Sequence, residues 1–571
     1  MAATSSTLPQ AQCYVLGYYG NSDGGEGVFT VGAATAANGG TIINDASGRS
    51  WYREGVKNGV TALQFGARGN GAANDYAALS AAISAVEAMG GGTVYLPPTG
   101  AAYFIGTGLS LPNGVALVGT LSRNYEGATA TIAQWTQYGT WIQSADAVNP
   151  AVMMVGHGSA VSGVNFIYAQ PIPPSTGTTG YTPTIWPFSI MCEIDEANIR
   201  DIMIVAGGNG ISIKYALTTS GGTGVNVENC LIDACAIGFQ TYGVNDTLCV
   251  SNLHVRGLYY NINLSVTTYL ESNLIGWDCE YCDNPMMNNL EFFHCYIGWK
   301  LTNQTVLGAT HALYNCLISD IQFGLCNMAI YAPAGTVVTG KISNLFMQSD
   351  TETGTTGTLF NCPTDSLDLE ISNFRMLAGA QGFALGNGSI GGNLSIGNLR
   401  VLEYSATVAG QVLFNVNTGF NLNIGNYNIT KTGNSPGETF SGLGYDTIKV
   451  GNSTVWSPFS IADQYTYTGP LTDDMITTTW LYVPSSENKV QVRLKGTMNI
   501  TTASTGTGTV QLSNYPETAT TFSTATTGAS AFDTNWIDIM TPNLGGVAGY
   551  IELTVPSGTT MQSGNLAAQF R

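Results

Sequence analysis

Val227–Ile232 reads VENCLI and Val250–Val255 reads VSNLHV, one shared spacing of apolar, any, Asn, apolar, any, apolar. With Gly or Asp sometimes in third place, it recurs as VSGVNF from Val161, IRDIMI from Ile199, MNNLEF from Met287 and LYNCLI from Leu313. ISNLFM from Ile342, ISNFRM from Ile371, IGNLRV from Ile396 and IGNYNI from Ile424 complete the set. Successive third-position residues lie 23 to 38 apart, a repeat with loops of variable length. Asn tolerates a left-handed backbone better than other non-glycine residues, and its amide can bond to an Asn stacked above or below. Such a residue suits the sharp corner of a parallel β-helix. The apolar positions then face inward and the "any" positions outward. Coils stacked about 4.8 Å apart predict a shaft roughly 45 Å long. A second landmark follows several copies: AIGFQ at Ala236, YIGWK at Tyr296 and QFGLC at Gln322. Cys230 and Cys316, each directly after a corner Asn, read as small inward hydrophobes.

Composition points the same way. The 571 residues include 71 glycines and few Lys or Glu, which disfavours helix and favours an all-β chain. One compact core does not grow to this length, whereas a one-dimensional repeat does. With 18 basic and 37 acidic residues the net charge is −19, which opposes nucleic acid and anionic membrane surfaces. No apolar run reaches the ~18 residues of a membrane span, so no membrane insertion is expected. The start, MAATSSTLPQAQC, lacks the basic and apolar regions of a secretory signal, which predicts synthesis in a cytoplasm. Eleven irregularly spaced cysteines predict free, mostly buried thiols rather than a disulfide framework.

Upstream of the repeat, Val60–Ile105 reads VTALQFGARGNGAANDYAALSAAISAVEAMGGGTVYLPPTGAAYFI. Asn74 or Asp75 can cap a helix over 75–89, because Leu79, Ala82, Ile83, Val86 and Met89 recur at helical spacing before Gly90–Gly92. The helix is placed to plug the open end of the stack and cover its unpaired edge. The block resembles the entry segment of the pectate-lyase-like right-handed β-helix superfamily. The resemblance rests on Phe65, Gly66, Ala67, Gly69, Gly71, Gly92, Thr93, Val94, Leu96, Pro97 and Pro98. It departs at Asn70, where the family usually has Asp, and at Asn74–Tyr76, NDY in place of Asp-Asp-Thr. The preceding Gly17–Glu54 is similar to the glycine-rich lead-in of bacteriophage tailspikes. That resemblance implies a homotrimer in the virion tail that binds and cleaves capsular polysaccharide or lipopolysaccharide O-antigen. The lack of a particle-binding head is read as a short docking segment for other phage tail proteins over the first fifteen or so residues, or as a truncated chain. The expected organisation is a lead-in over 1–59, a right-handed parallel β-helix over 60–430, and an antiparallel β-sandwich over 431–571. The last is read from alternation such as KVQVRLKGTMNI and AGYIELTV; in tailspikes such a domain serves trimerisation or sugar binding.

The interior of a β-helix is full, so chemistry belongs on outward positions and lengthened loops. Trp277–Asp283, WDCEYCD, is assigned to the longest interval, between a landmark at Ile262 and Asn289. Its Cys279-x-x-Cys282 has no second ligand pair, so no metal and no cofactor is expected. An aromatic-anchored structural loop accounts for the stretch; so does the wall of a glycan groove. Glycoside hydrolysis needs a protonated carboxylic acid and a second carboxylate roughly 5–10 Å away. Asp278, Glu280 and Asp283 meet that demand, with Asp246 in the preceding coil. Trp277 and Tyr281 are candidates to hold sugar faces, and Lys300 an acidic sugar. A competing cluster lies beside the Asn corner. There His254 and Glu291 occupy equal positions of adjacent copies, Asp233 is expected beside Arg256, and His294 beside Asp320. Elimination on a uronic acid would instead use His254, Arg256 and Lys300; the excess of carboxylates favours hydrolysis. A non-catalytic adhesin of the same fold would need only the aromatics. A secreted pectin-degrading enzyme is a further alternative, weakened by the start of the chain. The expansion Tyr168–Glu196 is read as a loop packed on a neighbouring subunit.

Overall fold

The computed structural model describes the backbone of residues 12–431 except 58, 124–129, 175–179, 216–222, 257–262, 307–308, 334, 350–357, 363–365, 378–380, 386–391, 405–411 and 417–420. Beyond 431 it describes strands only, and side chains are described chiefly up to residue 400. The expected docking peptide falls almost wholly outside the described residues. The chain divides into two compact units, Met1–Gly444 and Tyr445–Arg571.

The first unit opens with a four-stranded antiparallel sheet in the order Gln12–Val15, Gly27–Val31, Ser50–Arg53, Ile42–Asn44. Phe29 and Trp51 form its buried centre. The Arg53 guanidinium lies 4.6 Å from the Phe29 ring and donates to the carbonyls of Gly25, Glu26 and Gly40. The Gly-rich turn is tied by Asp23, whose carboxylate accepts from the backbone N–H groups of Tyr18, Tyr19, Gly20 and Gly25. Burial pushes the Asp23 carboxyl up, but these four donors outweigh it and hold the pKa at about 2.

The entry helix spans Tyr76–Ala88 and buries Leu79, Ala82, Ile83 and Val86. It packs on the first parallel strands, Gly59–Thr61, Gly92–Tyr95 and Leu109–Leu111 among them. Asp75 occupies the N-cap position without capping: its carboxylate turns back to accept from Arg68 N at 2.6 Å and Gly69 N at 3.0 Å. Asn74 bonds instead to the N–H groups of Tyr76 and Gly106. Asp75 therefore holds the Phe-Gly-Ala-Arg-Gly turn against the helix.

From Gly59 the successive strands of the coils pair in parallel into one continuous sheet that winds as a β-helix. Asp201, Asn229, Asn252, Asn289 and Asp320 turn the corner at φ of 56, 55, 51, 49 and 57°. Asn344 donates to Asp320, Asn373 to Asn344 and Asn398 to Asn373, at 2.8, 2.9 and 2.9 Å. Just past each corner Ile202, Cys230, Leu253, Leu290, Ile321, Leu345, Phe374 and Leu399 fill the interior, each 2% exposed or less. The second landmark is a packing requirement. A Cβ on Gly238, Gly276 or Gly298 would come within 2.4 Å of Val255, 2.5 Å of Phe292 or 2.3 Å of Phe323.

The structure corrects several expectations. In the ladder Asn289 is followed by Asp320, because Met287 pairs with Ile318 and Leu290 with Ile321. The repeat copy is thus Ile318–Phe323, ISDIQF, and Asn315 turns a separate corner at φ 50°. Gln322 accordingly belongs to the strand after the corner, and QFGLC is no second landmark. The landmark of the coil containing WDCEYCD is Ile275–Trp277: Phe239, Trp277, Trp299 and Ile330 lie in register. WDCEYCD therefore lies in a strand, Ile275–Asp283, that turns a corner at Tyr281 (φ 73°), and the insertion precedes it. That insertion includes the helix Leu264–Asn273; Ile262 lies outside the described residues. The Tyr168–Glu196 expansion packs on this helix of its own chain, with Tyr181 edge-on to Tyr269 at 6.1 Å and Asn263 donating to the Pro174 carbonyl. Parallel pairing also continues past residue 430, where Glu438–Ser441 joins Val412–Val416.

The second unit is antiparallel. Lys489–Thr502 is flanked by Thr560–Phe570 on one edge and by Gly528–Asp533 and Ile537–Met540 on the other. A further sheet pairs Thr507–Leu512 with Tyr515–Ser523 and Ile551–Thr554.

Candidate functional site

Because the register is parallel, equal positions of consecutive repeats form outward rows running along the shaft. The fifth position of the repeat reads His254, Glu291, Gln322, Phe346, Arg375, Arg400, each paired with the next. With the corner residues Asn289, Asp320, Asn344 and Asn373 this row lines a groove of ≈ 570 Å³. At its upstream end one carboxylate oxygen, Glu291 Oε2, lies 3.0 Å from Arg256 Nη1 and 3.3 Å from His254 Nδ1. Burial lowers the His254 pKa and nearby Arg256 and Arg123 add to that, against the upward pull of Glu291. The imidazole is then neutral at pH 7, and its buried Nε2 has no hydrogen-bond partner among the described residues. Phe346, Arg375 and Arg400 are groove residues that the sequence reading did not name. Their signal is the repeat itself, in the fifth letters of ISNLFM, ISNFRM and IGNLRV.

A second outward row lies on the sheet that carries the Gly-aromatic landmark: Ser212, Gln240, Asp278, Lys300 and Tyr331 in register. Ser212 Oγ donates to Gln240 Oε1 at 2.9 Å. Asp278 is only 4% exposed although it stands on the outward side. Lys300 Nζ lies 3.2 Å from its Oδ1. Burial raises the Asp278 pKa and the neighbouring Glu280 adds to that, while Lys300 and Gln240 work against the rise. Glu280, two residues on along the same face, accepts from Gln304 Nε2 at 2.9 Å. Gln304 belongs to a short hairpin, Gln304–Val306 with Ala309–His311, that lies beside this strand.

The other predicted residues fall elsewhere. Trp277 is 0% exposed and packs edge-on against Trp299 at 4.9 Å, its indole N–H donating to Thr241. Tyr281, 1% exposed, stacks on His311 at 4.0 Å and donates its hydroxyl to Asn245. Trp277 faces inward, and Tyr281 turns a corner at φ 73° with its ring covered by His311 of the hairpin, so neither offers a face to a sugar. Asp246 and Asp283 meet at a different corner, where Asn284 Nδ2 donates to Asp246 Oδ1 at 3.5 Å. Burial raises the Asp283 carboxyl; the Asn284 N–H opposes this and Asp246 reinforces it. His294 is not beside Asp320: its Nδ1 lies 2.7 Å from Glu271 of the insertion helix, and both are buried. Asp320 is a ladder corner on the groove wall. Asp233 is buried and accepts from Ala206 N, leaving Arg256 to Glu291.

The family model of the phage tail protein small four-stranded β-sheet domain matches residues 1–56, the stretch in which the four-stranded antiparallel sheet is found. A comparison with curated proteins finds none that matches. Among solved structures the chain is similar to full-length tailspike protein 2 from Escherichia coli O157:H7 bacteriophage CAB120, at 10% identity and a TM-score of 0.46, covering 100% of this chain and 81% of that one. A tailspike protein from Acinetobacter baumannii bacteriophage Fri1, a capsular polysaccharide depolymerase, is similar at 13% identity and a TM-score of 0.38, over 100% and 98%. The mannuronan C-5 epimerase A-module from Azotobacter vinelandii is similar at 15% identity and a TM-score of 0.37, over 67% and 100%. Likenesses this distant transfer no residue roles. Residues 1–56 match the small four-stranded β-sheet domain of phage tail proteins, and from Gly59 the chain continues as a parallel β-helix.

Proposed function

We propose that this chain is a tailspike depolymerase that binds a bacterial surface polysaccharide along its shaft and cleaves it by glycoside hydrolysis. The observation that carries the reading is the outward pair Asp278 and Glu280. One carboxyl is buried with its pKa raised, and the other extends from the same face two strand positions on, a backbone spacing of about 7 Å. That spacing falls near the lower end of the range in which a water fits between acid and base, giving inversion at the cleaved carbon. Protonated Asp278 delivers its proton to the glycosidic oxygen as the carbon–oxygen bond breaks. Glu280 takes a proton from the water that attacks the sugar carbon. Lys300, 3.2 Å away, stabilises the Asp278 carboxylate left behind. A homotrimer that acts at the cell surface from the phage tail is part of the same proposal.

Elimination is a second reading, favoured by one observation: neutral His254, whose Nε2 has no hydrogen-bond partner among the described residues, stands beside Arg256 in the groove. A uronate bound there would meet a base for its ring proton and a cation for its carboxylate. Incubating the protein with purified capsule or O-antigen of a sensitive strain separates these readings. Reducing ends without ultraviolet absorbance mean hydrolysis, and both together mean elimination. Binding with neither product would refute the enzyme and leave an adhesin.

A further inference from the structure

We infer that Arg375 and Arg400 form a binding subsite for the anionic groups of an acidic polysaccharide strand lying in the groove, a refinement that rests on the polysaccharide-binding reading above. The two residues are register partners on adjacent parallel strands, exposed on the same outward row. Like charges directly opposite one another across strands repel. Neither guanidinium makes an ion pair among the described residues, although the chain has twice as many acids as bases. The neighbouring row, just before the corner, shows the structural solution: there Lys341 meets Glu370 across the same two repeats as Phe346 and Arg375, at 2.8 Å. Opposite Arg375 and Arg400 no acid is supplied.

The site is also shaped for a ligand. Arg375 is laid over the Phe346 ring, 5.2 Å from its centroid, which orients the guanidinium plane. Two adjacent guanidinium groups present forked donors that match a carboxylate or sulfate oxygen pair. The groove continues from Arg400 to His254 over five strand spacings, roughly 24 Å, so it accepts an extended strand rather than a single ion. A bound anionic group removes the repulsion between the two cations, which gives binding a driving force that a neutral sugar lacks.

The test is binding, not turnover. The full chain is titrated at low ionic strength with polygalacturonate, dextran sulfate and uncharged dextran. The wild type is expected to bind a charged polymer and not dextran, with affinity falling as salt rises. The R375A/R400A variant should lose about ten- to a hundredfold in affinity. R375K/R400K should recover part of it, and K341A, on the neighbouring row, should bind as wild type. Preference for polygalacturonate assigns carboxylate as the group bound, preference for dextran sulfate assigns sulfate, and either supports the subsite. Absence of binding to both charged polymers, equal binding of dextran, or unchanged affinity in a folded R375A/R400A variant overturns it. A protein that binds through the two arginines but cleaves no capsule refutes only the depolymerase reading. Cleavage and binding that ignore R375A/R400A refute only the subsite.

Discussion

Asp278 Oδ1 and Lys300 Nζ face each other at 3.2 Å across two register-matched strands, on an outward row where the carboxyl is nonetheless sealed from water. Burial favours the neutral acid and the ammonium favours the anion, and the balance leaves the pKa raised from the ordinary aspartate value. Asp278→Asn keeps the shape and removes the transferable proton. Turnover should fall about 10²–10⁴-fold with an unchanged melting temperature. Retention of full activity in a folded variant would remove Asp278 from the chemistry.

The same balance sets a pH dependence. The acid must be protonated to act, so kcat/KM should decline as pH rises through the raised Asp278 pKa. Lys300 lowers that pKa, so Lys300→Met should move the declining limb to higher pH. A limb that stays put or moves down would show that another group titrates.

Glu291 gives one oxygen to both Arg256 and His254. If it shapes the groove rather than attacks substrate, Glu291→Gln should raise KM about three- to tenfold with kcat nearly unchanged. A kcat loss of about 10³ or more would make it a reacting group instead.

Trp277 and Gly298 serve the interior. Trp277→Ala should cost about 3–5 kcal/mol, because it empties the packed stack of Phe239, Trp277 and Trp299. Gly298→Ala drives a Cβ to within 2.3 Å of the Phe323 ring and should cost about 1–3 kcal/mol. Denaturant melts of the two variants check both figures. A stable Trp277→Ala variant with weakened sugar binding would restore Trp277 to the surface.

Asp23 links the N-terminal sheet to pH. Its folded pKa of about 2 lies below the unfolded value of about 3.9. Its contribution is therefore complete above the unfolded value and lost as pH falls towards 2. Asp23→Asn should lower the melting temperature at neutral pH and flatten its fall between about pH 4 and 2. Identical acid melts for variant and wild type would contradict the assignment.

The parallel β-helix was legible because its corners need a residue that accepts a left-handed backbone and bonds to its own copy, and Asn does both. The His254–Glu291 pair was legible for a related reason: parallel register makes equal repeat positions neighbours. By the same rule Arg375 and Arg400 were within reach of the sequence. Asp320 was hidden because Asp replaces Asn there and LYNCLI offers a competing match five residues earlier. That slip misplaced QFGLC and the expected partner of His294. Assigning WDCEYCD to an insertion turned a core ring, Trp277, and a covered corner ring, Tyr281, into sugar platforms.

What the sequence determined by itself was periodicity: all-β composition, repeating corners, an entry helix, and which residues share a row. Tertiary structure alone decided which outward carboxyl lost its water and which cations have no acid partner among the described residues. Burial and charge pairing depend on side chains from different coils and on the hairpin and helix that fold back over them. The short-range pattern that builds each coil carries no record of those contacts.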